Sequence, residues 1–195
     1  MNLKRFISRL KYKYNCYKQR KEYGCDNEDI YSLDYSFYKW AVPRIKLYKD
    51  QMCGLPGVFV FDVEQEFLLS GKYKYDRSKC RFESKQVRDK IWKKAKSRWV
   101  SILDEILLGF EDALQEENDF DAWIKKYKDR VTIANKELEK CKTKEQKTEV
   151  WKKYCPNYVA QCRGCGLTFH ADCFAFEVRK KSRELFAEYI SHMWL

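Results

Sequence analysis

Apolar residues recur at steps of three and four along most of the chain, the period of helices with one buried face. The longest such run covers residues 84–117. Val87, Ile91, Ala95, Trp99, Ile102, Ile106, Phe110 and Ala113 form one stripe, and Trp92, Leu103, Leu107 and Leu114 widen it. This spacing predicts a long central helix. Asn118 and Asp119 break it, and Asp119 or Asp121 is placed to cap a helix from Ala122 to about Cys141. That helix carries Trp123, Tyr127, Val131, Ala134 and Leu138 on one edge and charge on the other, so it is expected to fold back on the central helix as a hairpin.

Upstream, residues 3–23 read as an amphipathic helix with Phe6, Leu10, Tyr14 and Tyr17 along one edge and Gly24 as its stop. Asp26 or Asn27 is expected to cap a second helix bearing Ile30, Phe37, Ala41, Ile45 and Tyr48, which Pro43 should kink or divide. A last helix from Asp172 to Trp194 is expected to bury Leu185, Phe186, Tyr189, Ile190, Met193 and Trp194, and the Met-Trp-Leu ending to dock in a core or an interface. Three stretches depart from this period. Val58–Val63 is β-branched and aromatic and predicts a strand, after a turn at 53–57. Residues 70–82 read as a loop or short hairpin, and 142–149 as solvated helix surface or linker. The expected architecture is mainly α. It is a compact helical domain with a small β or loop element near 58–82 and a zinc-knuckle-like insertion before the C-terminal helix. The basic helix 1–23 precedes one helical domain, 24–195, which includes the Cys/His segment 155–173.

Composition agrees with helices: the 195 residues include only 7 Gly and 3 Pro. No apolar run approaches the roughly 18 residues of a membrane span, and the basic start does not resemble a secretory signal. Nine Cys, an odd number, argue for a reducing compartment rather than a disulfide framework.

Charge changes the picture more. The net charge is +11, and residues 1–23 hold eight Lys or Arg against one acid, Glu22. Lys4, Arg5, Arg9, Lys11 and Lys13, with Tyr14 among them, supply phosphate attraction and a stacking ring, and Tyr12, Tyr17 and Tyr23 could add further rings. Nucleic acid or a nucleotide is the favoured partner; an anionic membrane surface and a merely solvated face are the alternatives. Arg44 and Lys46 are the cations a small nucleotide pocket would use, or partners for Asp34, which sits on an apolar stripe and needs pairing.

The last four cysteines cluster. Cys162-x-x-Cys165-Gly has the form of a zinc knuckle, and His170-x-x-Cys173 has first-turn helical spacing. Together they make a Cys3His set suited to one structural zinc, with Cys155 as an alternative ligand. The segment also resembles part of a treble-clef or plant-homeodomain-type finger without the partner pairs those need. Cys155 with His170 is a weaker nucleophile–base reading. Asp104, Glu105, Glu111 and Asp112 on the central helix are the acids a hydrolase would use, at no recognisable spacing. No P-loop, GxGxxG, HExxH or nucleophile elbow is present, and no catalytic residue is assigned.

Several phrases occur in an order that resembles a family of small uncharacterised proteins of tailed bacteriophages. They are Gly24 to Asp29, then Tyr31-Ser32-Leu33-Asp34-Tyr35, Trp40-Ala41-Val42-Pro43-Arg44-Ile45-Lys46 and Gly54-Leu55-Pro56-Gly57, then Ile102–Ile106 with Gly109-Phe110-Glu111, and Glu184–Tyr189 running to Trp194. The resemblance covers 24–57, 102–111 and 184–194 and leaves out the Cys cluster. It implies a phage protein acting in the host cytoplasm and supplies no activity. The leading expectation is a non-enzymatic accessory protein that binds a phosphate-bearing ligand, with counter-defence by sequestration as one use. A homo-oligomeric or host-protein interaction module is second, and a carboxylate hydrolase third.

Overall fold

The computed structural model describes residues 3–23, 33–161 and 168–193. Their order is α1 (Leu3–Tyr23), α2 (Leu33–Gln51), α3 (Gly57–Leu69), β1 (Tyr75–Asp76), β2 (Arg81–Phe82), α4 (Lys85–Asn118), α5 (Phe120–Glu139), α6 (Lys144–Tyr154), α7 (Pro156–Gln161) and α8 (Ala171–Tyr189), closed by a 3₁₀ turn Ile190–His192. The chain divides into two units, 1–43 and 44–195. In the first, Cys16, Tyr38, Ala41 and Val42 are buried. The division falls inside α2, which stays one helix through Pro43. Gly24, Asp26, Asn27 and Ile30 lie outside the described residues.

The second unit is built on α4, against which α3, α5 and α8 pack. Val87, Ile91, Ala95, Trp99, Ile106, Phe110 and Ala113 of the predicted stripe are buried along it, with Leu103 and Leu107 beside them, whereas Ile102 is half-buried and Trp92 is 45% exposed. Around Trp99, Phe59 of α3 lies 5.0 Å away and Tyr189 of α8 5.8 Å away, ring centre to ring centre. A second core joins α5, α6 and α8 through Trp123, Tyr127, Trp151, Phe169 and Phe174.

Val58–Val63 forms helix, not the expected strand. An isolated strand would leave its amides unpaired, and alternation would expose either Phe59 and Val63 or their neighbours. A helix satisfies its own backbone and places Phe59 and Val63 together, 6% and 0% exposed, on α4. The β element is instead a hairpin of β1 and β2, with Tyr75 opposite Phe82. Asp76 Oδ1 accepts from the Ser78 and Lys79 amides to form the turn, and Phe82 is fully buried. Residues 144–149 belong to α6, whose start has a complete capping box of Thr143 and Gln146. The last α-helix ends at Tyr189. Phe186 and Met193 are buried, but Ile190 is 37% exposed; Trp194 lies outside the described residues.

Two features lock α8 onto α4. At Gly109, an added Cβ would lie 2.2 Å from Ser182 Oγ and 2.5 Å from Ser182 Cβ, so only glycine permits this approach. Ser182 Oγ then donates to the carbonyls of Glu105 (2.6 Å) and Val178 (2.9 Å). One turn further along α4, the buried Asp112 accepts from Trp123 Nε1, Tyr127 OH, Lys126 Nζ and Arg179 Nε at 2.6–3.2 Å. Burial works to raise the Asp112 pKa. The bonds from Lys126, Tyr127 and Trp123, with the Arg179 charge, outweigh it and hold the carboxyl below its usual range.

Gly109→Ala should therefore lower stability by about 1–3 kcal/mol through overpacking, although alanine is the better helix former. A urea melt at neutral pH measures it. Because folding lowers the Asp112 pKa, the stability it contributes is complete above the unfolded carboxylate value of about 4 and is lost as pH falls through the lower, folded value. Asp112→Asn should be less stable than the parent at pH 7 and show less further loss from that carboxyl on acidification, read as denaturation midpoints across pH.

Candidate nucleic-acid interface and cysteine segment

At about 1.5 Å per residue α1 is roughly 30 Å long. At about 100° per residue, Ile7, Leu10, Tyr14 and Tyr17 fall within about 80° of one another. Lys11 and Lys18 run along one flank of this strip; Arg9, Lys13 and Arg20 run along the other. Buried Cys16 and half-buried Gln19 lie on the opposite side. The covered side of α1 is thus its Cys16–Gln19 edge, and the aromatic edge is open to solvent: Tyr14 is 67% and Tyr17 65% exposed. The spacing identifies the aromatic edge but not which way it faces. All six described cations of the helix, Arg9, Lys11, Lys13, Lys18, Arg20 and Lys21, are exposed. The side chains of Lys4 and Arg5 are outside the description. Tyr12 is also exposed, on the side away from the strip.

Arg44 and Lys46 do not act together. Lys46 pairs with Glu111 on α4, as Lys49 does with Asp104. Arg44 instead lines a cavity with Tyr48 and His192. Asp34 is exposed in the first turn of α2 and accepts from the Tyr35 amide at 2.9 Å. The acids of the central helix are held separately: Asp104 by Lys49, Glu105 by Lys181, Glu111 by Lys46, and Asp112 in the buried network. They do not share a site.

Of the cysteine segment, Cys162 and Cys165 lie outside the described residues. His170 caps the N-terminus of α8, and Cys173 is three residues on, its amide bonded to the His170 carbonyl. Cys173 and Cys155 are both fully buried in the aromatic cluster of α5, α6 and α8. Burial first, then the neighbouring Cys173, pushes the Cys155 thiol up to about 12. His170 Nδ1 is 3.1 Å from Asp172 Oδ2 but not aligned for a hydrogen bond, leaving a buried ring nitrogen unsatisfied. The flanks are pinned. Asn135 donates to the Phe169 carbonyl and accepts from its amide, at 2.9 and 2.7 Å. Glu177 accepts from the Asn157 and Tyr158 amides at the start of α7. Among the described residues, no three His, Cys, Asp or Glu side chains form a metal-sized cluster.

The sequence reading missed Arg179 and His192. Arg179 carries no periodic signal; a basic residue three turns from the helix end becomes a core partner only when Asp112 is brought opposite. His192 was hidden in the expected helix end, and only the 3₁₀ turn brings it beside Arg44 and Tyr48. None of the helices among the described residues is long and apolar enough to cross a membrane. Compared with known proteins, the chain matches no family model, no curated protein and no solved structure.

Proposed function

We propose that this protein binds phosphate-bearing chains, single-stranded nucleic acid first among them, along α1. The observation behind this is the outward aromatic edge with cations on both flanks. Lys and Arg on two sides of a strip can follow a backbone of phosphates, while Tyr14 and Tyr17, one turn apart, offer rings to successive bases. Stacking tolerates any base, so the binding is expected to be sequence-independent. Each base stacked on a tyrosine contributes about 1–3 kcal/mol.

The test is fluorescence anisotropy with a labelled single-stranded oligonucleotide and the full chain. With four phosphates neutralised, affinity should fall roughly 50-fold between about 50 and about 200 mM salt. Tyr14→Ala with Tyr17→Ala should weaken binding at fixed salt. Arg9→Gln with Lys13→Gln should flatten the salt slope by roughly one unit. No binding at low salt, or binding that neither pair of changes affects, overturns the reading. Capture by anionic vesicles but not by oligonucleotides would assign α1 to a lipid surface instead.

A structural zinc on Cys162, Cys165, His170 and Cys173 is the second part of the proposal. The unsatisfied Nδ1 of His170 and the buried Cys173 fit two of its four positions. Zinc there would hold the connection between α7 and α8 closed, with no chemistry of its own. Protein purified without chelator should carry one zinc per chain by elemental analysis. Cys162→Ser should abolish it and raise hydrogen exchange in 155–180 above the rest. His170→Ala and Cys155→Ser, compared for retained metal, decide which is the fourth ligand; metal-free protein overturns the site.

A further inference from the structure

After α2 the chain forms no regular structure until α3 begins at Gly57. Between this irregular stretch, the C-terminal half of α2 and the turn at 192–193 lies a cavity of about 590 Å³. Small-molecule sites generally measure about 300–1,000 Å³. All its described lining belongs to the second unit and none of it to α1. Ile45 and Met193, both buried, line it with half-buried Met52 and Leu55 and with Leu47, which is 55% exposed. An apolar body in the cavity would take this leucine and its neighbours out of water. The two methionine thioethers adapt to different apolar shapes.

The charge around this cavity is already used. Among the described residues lining it there is no Asp or Glu, and the one Lys or Arg, Arg44, has a partner within the protein. Lys46 and Lys49 nearby are paired with Glu111 and Asp104. An ion of either sign entering this apolar space would lose water without gaining a counter-charge of its own. Hydrogen bonding is not used up. Tyr48 OH accepts from Trp99 Nε1 at 3.3 Å, and its own proton remains for an acceptor. The Trp99 ring is fully buried and meets the Tyr48 ring edge to face at 6.4 Å, so the phenol is held in place. Gln51, Cys53 and His192 complete the polar side chains of the lining.

We propose that this cavity binds an uncharged amphiphile, an alkyl or acyl body ending in one hydrogen-bonding oxygen, as in a fatty alcohol or ester. The body lies among Ile45, Leu47, Met52, Leu55 and Met193. The oxygen accepts from the Tyr48 hydroxyl. The site shares no described residue with α1 and stands whether or not α1 binds nucleic acid.

Isothermal titration of the full chain with decanol, decanoate and decyltrimethylammonium tests it, comparing a neutral, an anionic and a cationic head on one chain length. One decanol should bind per chain, at least about tenfold more tightly than either ion, because each ion must give up hydration. Tyr48→Phe should weaken decanol by about 2–10-fold, the worth of one hydrogen bond. Gly54→Phe should block binding, since a Cβ at Gly54 meets no atom within 4 Å and enters open space. Met52→Trp is a second blocking variant, and thermal midpoints report whether each variant is folded. Cys53 lines the cavity and is exposed, as is Cys80 in the hairpin turn. Saturating decanol should therefore slow iodoacetamide alkylation of Cys53 and leave Cys80 unchanged, read by mass spectrometry. No decanol binding, an ion bound as tightly as decanol, several decanols per chain, no effect of Tyr48→Phe, binding that both blocking variants leave unchanged, or an unprotected Cys53 would each overturn the proposal.

Discussion

The second unit depends on one buried charge. Asp112 lies where α4, α5 and α8 converge, and each helix satisfies it: α5 through Trp123, Lys126 and Tyr127, α8 through Arg179. Arg179 in turn bridges to Glu116, a turn further along α4. A buried ion group of this kind adds little net stability over an apolar replacement, but losing one partner strands the others at about 3–5 kcal/mol. Its role is selection. Leucines and tryptophans would tolerate several rotations of α8 on α4; only one brings Arg179 to Asp112 while Ser182 meets Gly109. The two cores are thereby held in a fixed relation, since α4 serves one and α8 serves both.

The helices were legible where burial repeats at one period. The stripe from Val87 to Ala113 identifies α4, and the Asp119 cap is visible because a short acid preceding an apolar run has one good local use, accepting from the Ala122 amide at 3.1 Å. Residues 142–149 contained a readable signal as well. Thr143 followed three residues later by Gln146 is a capping box, obscured by the surrounding lysines. Val58–Val63 misled for a physical reason: β-propensity measures fit to a sheet, and no neighbouring strand was available. The same residues, set at helical spacing, fit the side of α4.

The candidate sites were less legible because they depend on direction rather than composition. The sequence identifies an amphipathic helix at 3–23 but not which edge is covered, and the smaller, polar edge around Cys16 is the covered one. Lys46 and Arg44 look alike two residues apart, yet Lys46 reaches Glu111 on α4 while Arg44 is among the residues lining a cavity. The acids of α4 look like a catalytic row until each is found with its own lysine or arginine.

The contact of Gly109 with Ser182 also limits how this chain can change over time. The two positions are not independent: alanine at position 109 requires the loss of the side chain at 182, and glycine at 182 removes the hydroxyl that tied Glu105 and Val178 together. A lineage could pass between these pairs only through a poorly packed intermediate. Positions 109 and 182 should therefore vary in step or not at all, whereas exposed Phe61 or Leu69 is free to drift alone.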